Sequence, residues 1–595
     1  MVGCGGHPGR LRSHRSIHST QIGSGWHFFL IPGTCSTRNQ RRFRLTETTQ
    51  TGGEALVAAL QANGTDSLFV IPGIQLDWAV DALASSPDLK VYVPRHEQTV
   101  SYMADGYARV TGRAGVGMVV PGPGILNATA GLSTAYACNS PVVMVVGQIH
   151  SDAIGKGYGN LHEIPDQSGV LRGLTKQHEL VTDRARISAA VGDAFGAARA
   201  GRNRPTAVEI PYDMLMAKSG KVAQGGGSAE VVVAQPDATL VDQAAALIDK
   251  ANFPVIYIGG GAMDAGSEIT ALAEKLGAPI VASDNGRGAV PDRHPLSFSS
   301  LAGRPLFDRA DLVLVIGSRF MDIMTPDPSW PQGGKTFIYV NIDPADMGGV
   351  RHGTVEIVAD AGAAARALEA GVAKRNILSD DQGARIKAWA HDKVVSTGVL
   401  WGYVDALRQA LPDDGIFVNE LTQVGYLSRI AFECRAPRTL IGPGYQGTLG
   451  YGFPTSLGAA VGGAGRRVVS ITGDGGFGWG LQELATARRY NLPVTLVVFN
   501  DGHYGNVKSI QSNTFGRNYI TELANPRFED LARAFDLDFV RADTPEQLRA
   551  LVAESVKTSG PLMIEAPVGP MASPWPLLRL KPMNAGANES YEHLF

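Results

Sequence analysis

This sequence contains few cysteines and has a net charge close to zero. The chain of 595 residues holds four cysteines, at positions 4, 35, 138 and 434, whose separations match neither a metal-ligand set nor a dense disulfide framework. That pattern points to a reducing compartment. The net charge is −3 and the pI is near 6.5, so the chain lacks the basic surface that nucleic acid or an anionic membrane would require.

The sequence also lacks long apolar runs, and its first 46 residues contain no acidic residue. No uninterrupted apolar run approaches the ~20 residues of a membrane span, so we expect no membrane partner. The first acidic residue is Glu47, and seven arginines precede it. An Arg-rich, acid-free leader has the composition of an organelle transit peptide, and the alternative is upstream sequence translated ahead of a later start. We predict that residues 1–45 are a disordered leader or a mis-assigned start, and that the protein is cytoplasmic unless this leader directs organelle import.

Alternating strand and helix patterns fill the rest of the chain. Apolar runs such as Ser67–Ile71, Gly115–Val120 and Val142–Val146 are separated by amphipathic helical patterns. Repeated strand-helix-strand units predict parallel, doubly wound sheets covered on both faces, and 595 residues are too many for one core. A Gly-rich stretch, Ala223–Ser228, predicts a linker. We predict an α/β protein with domains at residues 46–222, 236–375 and 395–575, followed by a tail at 576–595.

The most informative motif is Gly-Asp-Gly at 473–475, which closes the apolar run Arg467–Thr472. A second apolar run, Val494–Phe499, ends in Asn-Asp at 500–501. If the two strands are neighbours, their side-chain oxygens meet at one edge of the sheet. Glycines allow close approach of phosphate oxygens, a following helix presents free N–H groups, and Asp474 offers a hard oxygen to Mg²⁺. A plain turn uses the same tripeptide, so the motif alone leaves both interpretations open.

Further motifs lie upstream, with Arg-His-Glu-Gln at 95–98, Ala-Asp-Gly-Tyr-Ala-Arg at 104–109 and Gly-Pro-Gly at 122–124. Together with Gly-Asp-Gly and Asn-Asp, they make the chain resemble the thiamine diphosphate (ThDP) enzymes over residues 46 to about 575. Within that family the chain is similar to acetolactate synthase large subunits, on Gly147-Gln148, on 447–454 and on Gln482–Thr486. The resemblance implies a pyrimidine-binding domain, a middle Rossmann-like domain and a diphosphate-binding domain, in that order.

The resemblance also implies roles for individual residues. Glu97 would hydrogen-bond the aminopyrimidine ring and drive its imino tautomer, whereas a surface salt bridge is the ordinary alternative for a glutamate. Leu449 would wedge under the thiazolium, although core packing gives the same pattern. The metal ligands would be Asp474, Asp501 in place of the usual Asn, and the backbone carbonyl of His503. Further cofactor contacts would come from Gly122, Asn127, Leu421, Thr422, Gln423, Gly447, Gly473, Gly475 and Gly476.

Acetolactate synthases also hold FAD against the middle domain. The candidates for that role in this sequence are Arg202, Gly260, Arg319, Asp343 and Asp360. Three glycines after a strand, at 259–261, equally fit a bare Rossmann-type turn, and many relatives have an empty middle domain. Both alternatives therefore stay open.

The substrate-facing positions depart from the acetolactate synthase pattern, although Gln148 is retained. Ile74 stands where glycine is usual, Leu161-His162 replaces Phe-Gln, and the register gives Ile510 in place of a specificity-setting Trp. His162 is the one titratable newcomer. It would relay protons near neutral pH, and a solvated surface histidine is the alternative.

The implied function is ThDP- and Mg²⁺-dependent decarboxylation of a 2-oxo acid, with transfer of the resulting enamine to a carbonyl acceptor or a proton. Acetolactate formation from two pyruvates, in branched-chain amino-acid biosynthesis, is one alternative. The other is a decarboxylase or carboligase for a bulkier or more apolar 2-oxo acid. Intact Glu97 and Asp474 argue against a non-catalytic regulatory paralogue, and the lack of an opening Gly-x-Gly-x-x-Gly argues against a nicotinamide dehydrogenase.

The resemblance finally implies an oligomer. In the ThDP family the cofactor lies between two subunits, one supplying the glutamate and the other the metal and diphosphate site. We therefore expect a homodimer or homotetramer, with a small regulatory subunit as a further partner.

Overall fold

The computed structural model describes residues 49–220, 233–320, 334–347, 352–579 and 589–595. The described residues belong to one compact unit, Thr48–Phe595. The predicted leader at 1–45 and the predicted linker Ala223–Ser228 lie outside the described residues. The choice between cytoplasmic localisation and organelle import depends on that leader and stays a prediction.

Three six-stranded parallel sheets covered by helices confirm the predicted α/β class. Each sheet falls within one of the three predicted domain ranges. The first sheet has the strand order β3-β2-β4-β5-β7-β6, and β1 pairs with β8 in a separate antiparallel ribbon. The ribbon consists of β1 (Thr49–Thr51) and β8 (Lys218–Gly220). The sheet consists of β2 (Ser67–Val70), β3 (Lys90–Tyr92), β4 (Gly115–Val119), β5 (Val142–Gln148), β6 (Gln177–Leu180) and β7 (Thr206–Pro211). Its helices are α1 (Gly52–Ala62), α2 (Asp77–Ala84), α3 (Glu97–Thr111), α4 (Pro123–Cys138), α5 (Gln167–Leu174), α6 (Ile187–Arg199) and α7 (Tyr212–Met216).

The middle sheet has the strand order β11-β10-β9-β12-β13-β14. Its strands are β9 (Pro254–Ile258), β10 (Ile280–Ala282), β11 (Ser297–Phe298), β12 (Leu312–Ile316), β13 (Thr336–Asn341) and β14 (Val355–Val358). Its helices are α8 (Ala238–Lys250), α9 (Gly266–Leu276), α10 (Gly303–Arg309) and α11 (Ala361–Gly371). Every residue of β5, β9 and β12 is buried, because helices cover both faces of each parallel sheet.

The third sheet has the order β16-β15-β17-β18-β20-β19. Its strands are β15 (Ile416–Val418), β16 (Leu440–Ile441), β17 (Val468–Gly473), β18 (Val494–Asn500), β19 (Asp538–Arg541) and β20 (Leu562–Pro567). The remaining helices are α12 (Asp380–Val395), α13 (Val399–Ala410), α14 (Gln423–Ala431), α15 (Gly452–Gly462), α16 (Asp474–Phe477), α17 (Leu484–Arg489), α18 (Gly505–Phe515), α19 (Phe528–Ala534), α20 (Pro545–Ser555) and α21 (Trp575–Leu578). In the predicted tail, Tyr591 and Leu594 are buried, and the Tyr591 ring packs edge-on against Trp389.

The first and third domains are joined by close packing of α3 against α15. A Cβ atom on Gly106 would lie 2.1 Å from the carbonyl oxygen of Thr455, so the glycine of Ala-Asp-Gly-Tyr-Ala-Arg permits the two helix backbones to touch. Near the start of α3, the side chain of Gln98 donates to the carbonyl of Trp479 at 2.7 Å. The backbone N–H of Arg95 lies 3.1 Å from Oε2 of Glu483. These contacts fix the beginning of α3 against the third domain.

Candidate active site

The predicted metal loop lies at the carboxyl edge of the third sheet. Strands β17 and β18 are hydrogen-bonded neighbours in parallel register, so Asp474 and Asn500 lie at adjacent strand ends, as the sequence predicts. Asp474 is buried, and its Oδ2 accepts hydrogen bonds from the Gly502 N–H at 2.9 Å and from Asn525 Nδ2 at 2.6 Å. Burial, reinforced by the nearby Asp501 carboxylate, raises the pKa of Asp474. A divalent cation would relieve both effects, so the residues present fit Mg²⁺.

The other two predicted ligands lie on the loop after β18. Asp501 is exposed, and its Oδ1 accepts the His503 backbone N–H at 2.9 Å. Among the described residues no group of three or more His, Cys, Asp and Glu side chains is placed to hold a metal. The predicted set needs only two such side chains, because the third ligand is the backbone carbonyl of His503. That donor set is all oxygen, which suits a hard cation.

The segment between β16 and α15 carries Leu449, whose side chain is 39% exposed. Such exposure is inconsistent with the core-packing alternative and leaves the side chain on the surface of the loop. Gly447, two residues earlier, has a φ of +58° and lies near Leu421. Thr422 caps α14 by accepting the Gly425 N–H at 2.8 Å. The buried Oε1 of Gln423 has no hydrogen-bond partner among the described residues, so an acceptor is left for a ligand.

The residues predicted to bind the aminopyrimidine lie in the first domain. Glu97 is the first residue of α3, and its Oε2 accepts a hydrogen bond from Asn127 Nδ2 at 3.0 Å. Gly122 precedes α4 with a φ of +57°, and a Cβ there would lie 2.3 Å from the carbonyl oxygen of His162. The Gly122 N–H donates to Oε1 of Gln167 at 2.8 Å. Three of the predicted residues are therefore held at one edge of the first sheet.

Two predicted pocket residues, Ile74 and Leu161, lie on loops at that same edge with 56% and 63% of their surface exposed. Gln75 ties these loops together by donating to the Leu161 carbonyl at 3.1 Å. His162 has a φ of +71°, which is strained for a non-glycine residue. Its Nδ1 is buried without a hydrogen-bond partner among the described residues, and this does not fit a solvated surface histidine. Ile510, on α18 of the third domain, is 51% exposed.

Gln148 is oriented differently from the other predicted pocket residues. Its side chain is buried, donates to Oε1 of Glu209 at 2.5 Å, and accepts the Ile149 N–H at 2.7 Å. Both ends of the amide are therefore used inside the domain. Gln148 supports the pocket wall and does not present its amide to the pocket.

The first and third domains contact each other within one chain, for example through Thr134 and Thr448 at 3.1 Å, but among the described residues the Glu97 carboxylate has no partner in the third domain. The structure gives no hydrogen bond or ion pair, within its described ranges, between Glu97 or Asn127 and the loop that carries Asp474. The contacts from the start of α3 go to Trp479 and Glu483 instead.

A cavity of about 890 Å³ lies where the three domains meet. Four of the predicted FAD residues line it, namely Arg202, Gly260, Arg319 and Asp360. Asp343 is absent from the described lining, and Asp346 lies there instead. Arg202 is held by Asp346 at 2.7 Å and by Asn139 at 2.8 Å. The volume is in the range of cofactor sites, and the lining mixes apolar and charged groups as such sites do.

Several polar residues at these edges were missed by motif reasoning. Asn525 and Gln167 hold Asp474 and Gly122, and no local pattern marks either of them. Glu420 lies beneath the Leu449 segment, one residue before the predicted Leu421. An acidic residue directly after an apolar run, at the carboxyl end of β15, was the available signal for Glu420.

Lys508 was also missed, and it forms a pair with His503. Nδ1 of His503 lies 2.7 Å from the Asp501 carbonyl oxygen, so Nδ1 carries the proton. The Lys508 ammonium lies 2.8 Å from Nε2 and donates to the ring. Lys508 has no carboxylate partner among the described ion pairs, which leaves a half-buried positive charge beside the predicted metal loop.

Comparison with known families matches three sequence profiles in order along the chain. They describe the thiamine pyrophosphate enzyme N-terminal TPP binding domain at residues 50–170, the central domain at 241–368 and the C-terminal TPP binding domain at 423–566. None of the described helices is both long enough and apolar enough to cross a membrane.

Curated relatives cover almost the whole chain. A probable 2-ketoarginine decarboxylase of Pseudomonas aeruginosa is 30% identical over 558 residues, covering 90% of this chain and 99% of the relative. The acetolactate synthase large subunit of Corynebacterium glutamicum is 30% identical over 575 residues, covering 91% and 89%. Chloroplastic acetolactate synthase 1 of Oryza sativa subsp. japonica is 29% identical over 546 residues, covering 86% and 84%. The chain therefore belongs to the thiamine pyrophosphate enzyme family and is similar to acetolactate synthase large subunits.

Proposed function

We propose that the protein is a ThDP- and Mg²⁺-dependent enzyme that decarboxylates a 2-oxo acid and transfers the remaining acyl carbon to a carbonyl acceptor, as acetolactate synthases do. The observation that carries this proposal is the buried Asp474 beside Asp501 at neighbouring strand ends, within a matched ThDP domain. The test is to incubate the purified protein with ThDP, Mg²⁺ and a panel of 2-oxo acids. CO₂ release and product mass would identify the substrate and acceptor, and no CO₂ from any member of the panel would contradict the proposal.

When bound, ThDP supplies the nucleophilic carbon and the electron sink for decarboxylation. In our proposal, Glu97 holds a proton against the pyrimidine ring nitrogen, and Asn127 orients the Glu97 carboxylate. Asp474, Asp501 and the His503 carbonyl hold Mg²⁺. The backbone N–H groups of Gly473, Gly475 and Gly476 and the side-chain N–H of Gln423 would face the diphosphate, and the exposed Leu449 would pack against the thiazolium.

We propose a homodimer in which the first domain of one protomer faces the third domain of its partner. Exposed apolar side chains lie on both half-sites, at Ile74 and Leu161 on one and at Leu449 and Ile510 on the other. Apolar groups exposed at two edges that carry functional residues are typical of surfaces that become covered. A homotetramer built from two such dimers, and a small regulatory subunit, stay predictions.

We propose that Lys508 binds the substrate carboxylate. The ammonium lies beside the predicted metal loop, hydrogen-bonds to Nε2 of His503, and lacks a carboxylate partner in the described part of the chain. A 2-oxo acid brings one carboxylate into the site, and a half-buried ammonium is suited to receive it.

A second candidate function is simple decarboxylation of a bulkier or more apolar 2-oxo acid. The pocket positions Ile74, Leu161 and Ile510 are all aliphatic. His162 combines a strained backbone with a buried Nδ1 that has no hydrogen-bond partner in the described ranges. A group of this kind can deliver a proton to the product, so that an aldehyde is released in place of a carboligation product. Decarboxylase and carboligase are distinguished by the product masses of the same panel.

Pocket substitutions test this substrate range. We expect Ile510→Trp and Ile74→Gly to change the ratio of kcat/KM between pyruvate and longer 2-oxo acids by at least about tenfold, equivalent to ~1.4 kcal/mol, because one methylene in an apolar pocket is worth ~1–3 kcal/mol. Competition assays on paired substrates measure the ratio. Val399→Trp is the matched control, since Val399 is also an aliphatic residue with 51% exposure but lies on α13. Equal discrimination in all four proteins would show that neither side chain contacts the substrate.

We also propose that the cavity between the domains binds FAD. Purified protein is then expected to carry flavin absorbance, and Gly260→Leu, which places a side chain in the cavity, should lower flavin content at least about fivefold by excluding the ligand. Gly196→Leu on α6 is the control, because a Cβ there meets open space. Colourless wild-type protein that takes up no added FAD would favour the empty middle domain.

A further inference from the structure

Glu420 is a buried carboxylate at the carboxyl end of β15 that joins three segments of the third domain. Its Oε1 accepts the Gly450 N–H at 2.6 Å, and its Oε2 accepts the Gly452 N–H at 3.2 Å. The Thr472 hydroxyl, at the end of β17, also hydrogen-bonds to it. One side chain therefore connects the loop after β15, the segment between Gly447 and Gly452, and the strand that leads into the predicted metal loop.

In the described part of the chain, no cationic side chain neutralises this carboxylate. No lysine, arginine or histidine forms an ion pair with Glu420 among the described residues. Burial is the main reason that its pKa rises to about 7, and the three hydrogen bonds offset part of that cost. Gly452 is the first residue of the 11-residue helix α15, so the positive end of the helix dipole also favours the carboxylate. A buried carboxylate without a counter-ion destabilises the folded state, and such groups cluster at functional sites.

Oε1 of Glu420, which accepts the Gly450 N–H, also lies against the predicted diphosphate turn. A Cβ atom on Gly476 would lie only 2.4 Å from Oε1 of Glu420. The carboxylate therefore fills the space between two surfaces, the Leu449 segment on one side and the Gly-Asp-Gly turn on the other. Any change in its length or hydrogen bonding moves one surface relative to the other.

We propose that Glu420 is a positioning residue that fixes the Gly447–Gly452 segment, and Leu449 with it, at a set distance from the Gly473–Gly476 turn. This inference rests on the proposed function, since those two surfaces are the ones expected to hold the thiazolium and the diphosphate of one cofactor molecule. Glu420 acts through backbone groups and does not contact the reacting atoms.

Glu420→Gln in the full chain tests the proposal. The substitution keeps the shape but replaces one acceptor oxygen by an N–H donor, so Gly450 or Gly452 loses its partner. Hydrogen exchange of the ThDP-free protein should then show the amides of residues 447–452 exchanging at least about tenfold faster. ThDP should bind at least about tenfold more weakly, and Glu420→Asp, which keeps both acceptors, should recover part of the affinity.

Asp311→Asn is the matched control, because Asp311 also accepts two backbone N–H groups, from Asn252 at 2.6 Å and Phe253 at 2.9 Å, but in the middle domain. It should leave both measurements unchanged. Gly476→Ala places a methyl group within 2.4 Å of Oε1, displaces the carboxylate and should reproduce the faster exchange. This second variant provides a test if Glu420→Gln does not fold.

The outcomes separate this proposal from the proposed function. If wild-type protein binds no ThDP, the proposed function fails, while the exchange of residues 447–452 still reports on Glu420. If ThDP binds and exchange in Glu420→Gln is unchanged at 447–452, the positioning role is overturned. Uniformly faster exchange throughout the third domain would also overturn it, because that result indicates general stability and not local positioning.

Discussion

Glu97→Gln is expected to lower turnover on the order of a hundredfold or more while ThDP still binds. A glutamine keeps the length of the side chain and can still accept the Asn127 hydrogen bond, which is 3.0 Å long in the wild type. It cannot hold a carboxyl proton against the pyrimidine ring, and positioned acid-base groups contribute about 10²–10⁴ in rate. Steady-state turnover and calorimetric ThDP titration on the same preparation measure the two effects separately.

Glu54→Gln provides the control for that substitution. Glu54 lies in the first turn of α1, as Glu97 does in α3, and a glutamine retains its capping hydrogen bond to Thr51. Turnover should therefore be unchanged. Near-normal turnover in Glu97→Gln would show that Glu97 has no acid-base role and serves only as a hydrogen-bond partner of Asn127.

Asp474→Ala is expected to abolish Mg²⁺-dependent retention of ThDP. The change removes a hard oxygen ligand and also leaves the Gly502 N–H and the Asn525 amide without their acceptor. Asp501→Asn restores the ligand type usual in the family, so that variant should stay active with an altered Mg²⁺ affinity. ThDP binding titrated against Mg²⁺ concentration measures both.

Asp474→Asn separates the metal role from the hydrogen bonds, because the amide oxygen can still accept from Asn525 while one negative charge is lost. Asp530→Ala, on the surface of α19, controls for removal of a charge from the same domain. An unchanged Mg²⁺ requirement in Asp474→Ala would place the metal elsewhere.

Local patterns predicted the framework closely. The strand predicted at Ser67–Ile71 ends at Val70, and the strand predicted at Gly115–Val120 ends at Val119. The neighbouring placement of β17 and β18 also followed from the sequence, because strand-helix-strand units put the ends of parallel strands at one edge. Periodicity and turn residues are properties of adjacent positions, and one chain displays them without any tertiary information.

The sequence by itself determined the ThDP motif set, the α/β class and the order of the three domains, because each depends on short contiguous stretches of residues. Only the tertiary structure decided which polar groups support those motifs. Gln148 was expected at the pocket, but its side chain points inward and hydrogen-bonds to Glu209. The buried Glu420 carboxylate hydrogen-bonds both to the Leu449 segment and to the end of β17. Both outcomes depend on partners about 30 or more positions away. Burial and hydrogen bonding at such separations arise only when the sheets and helices pack, and no local pattern encodes them.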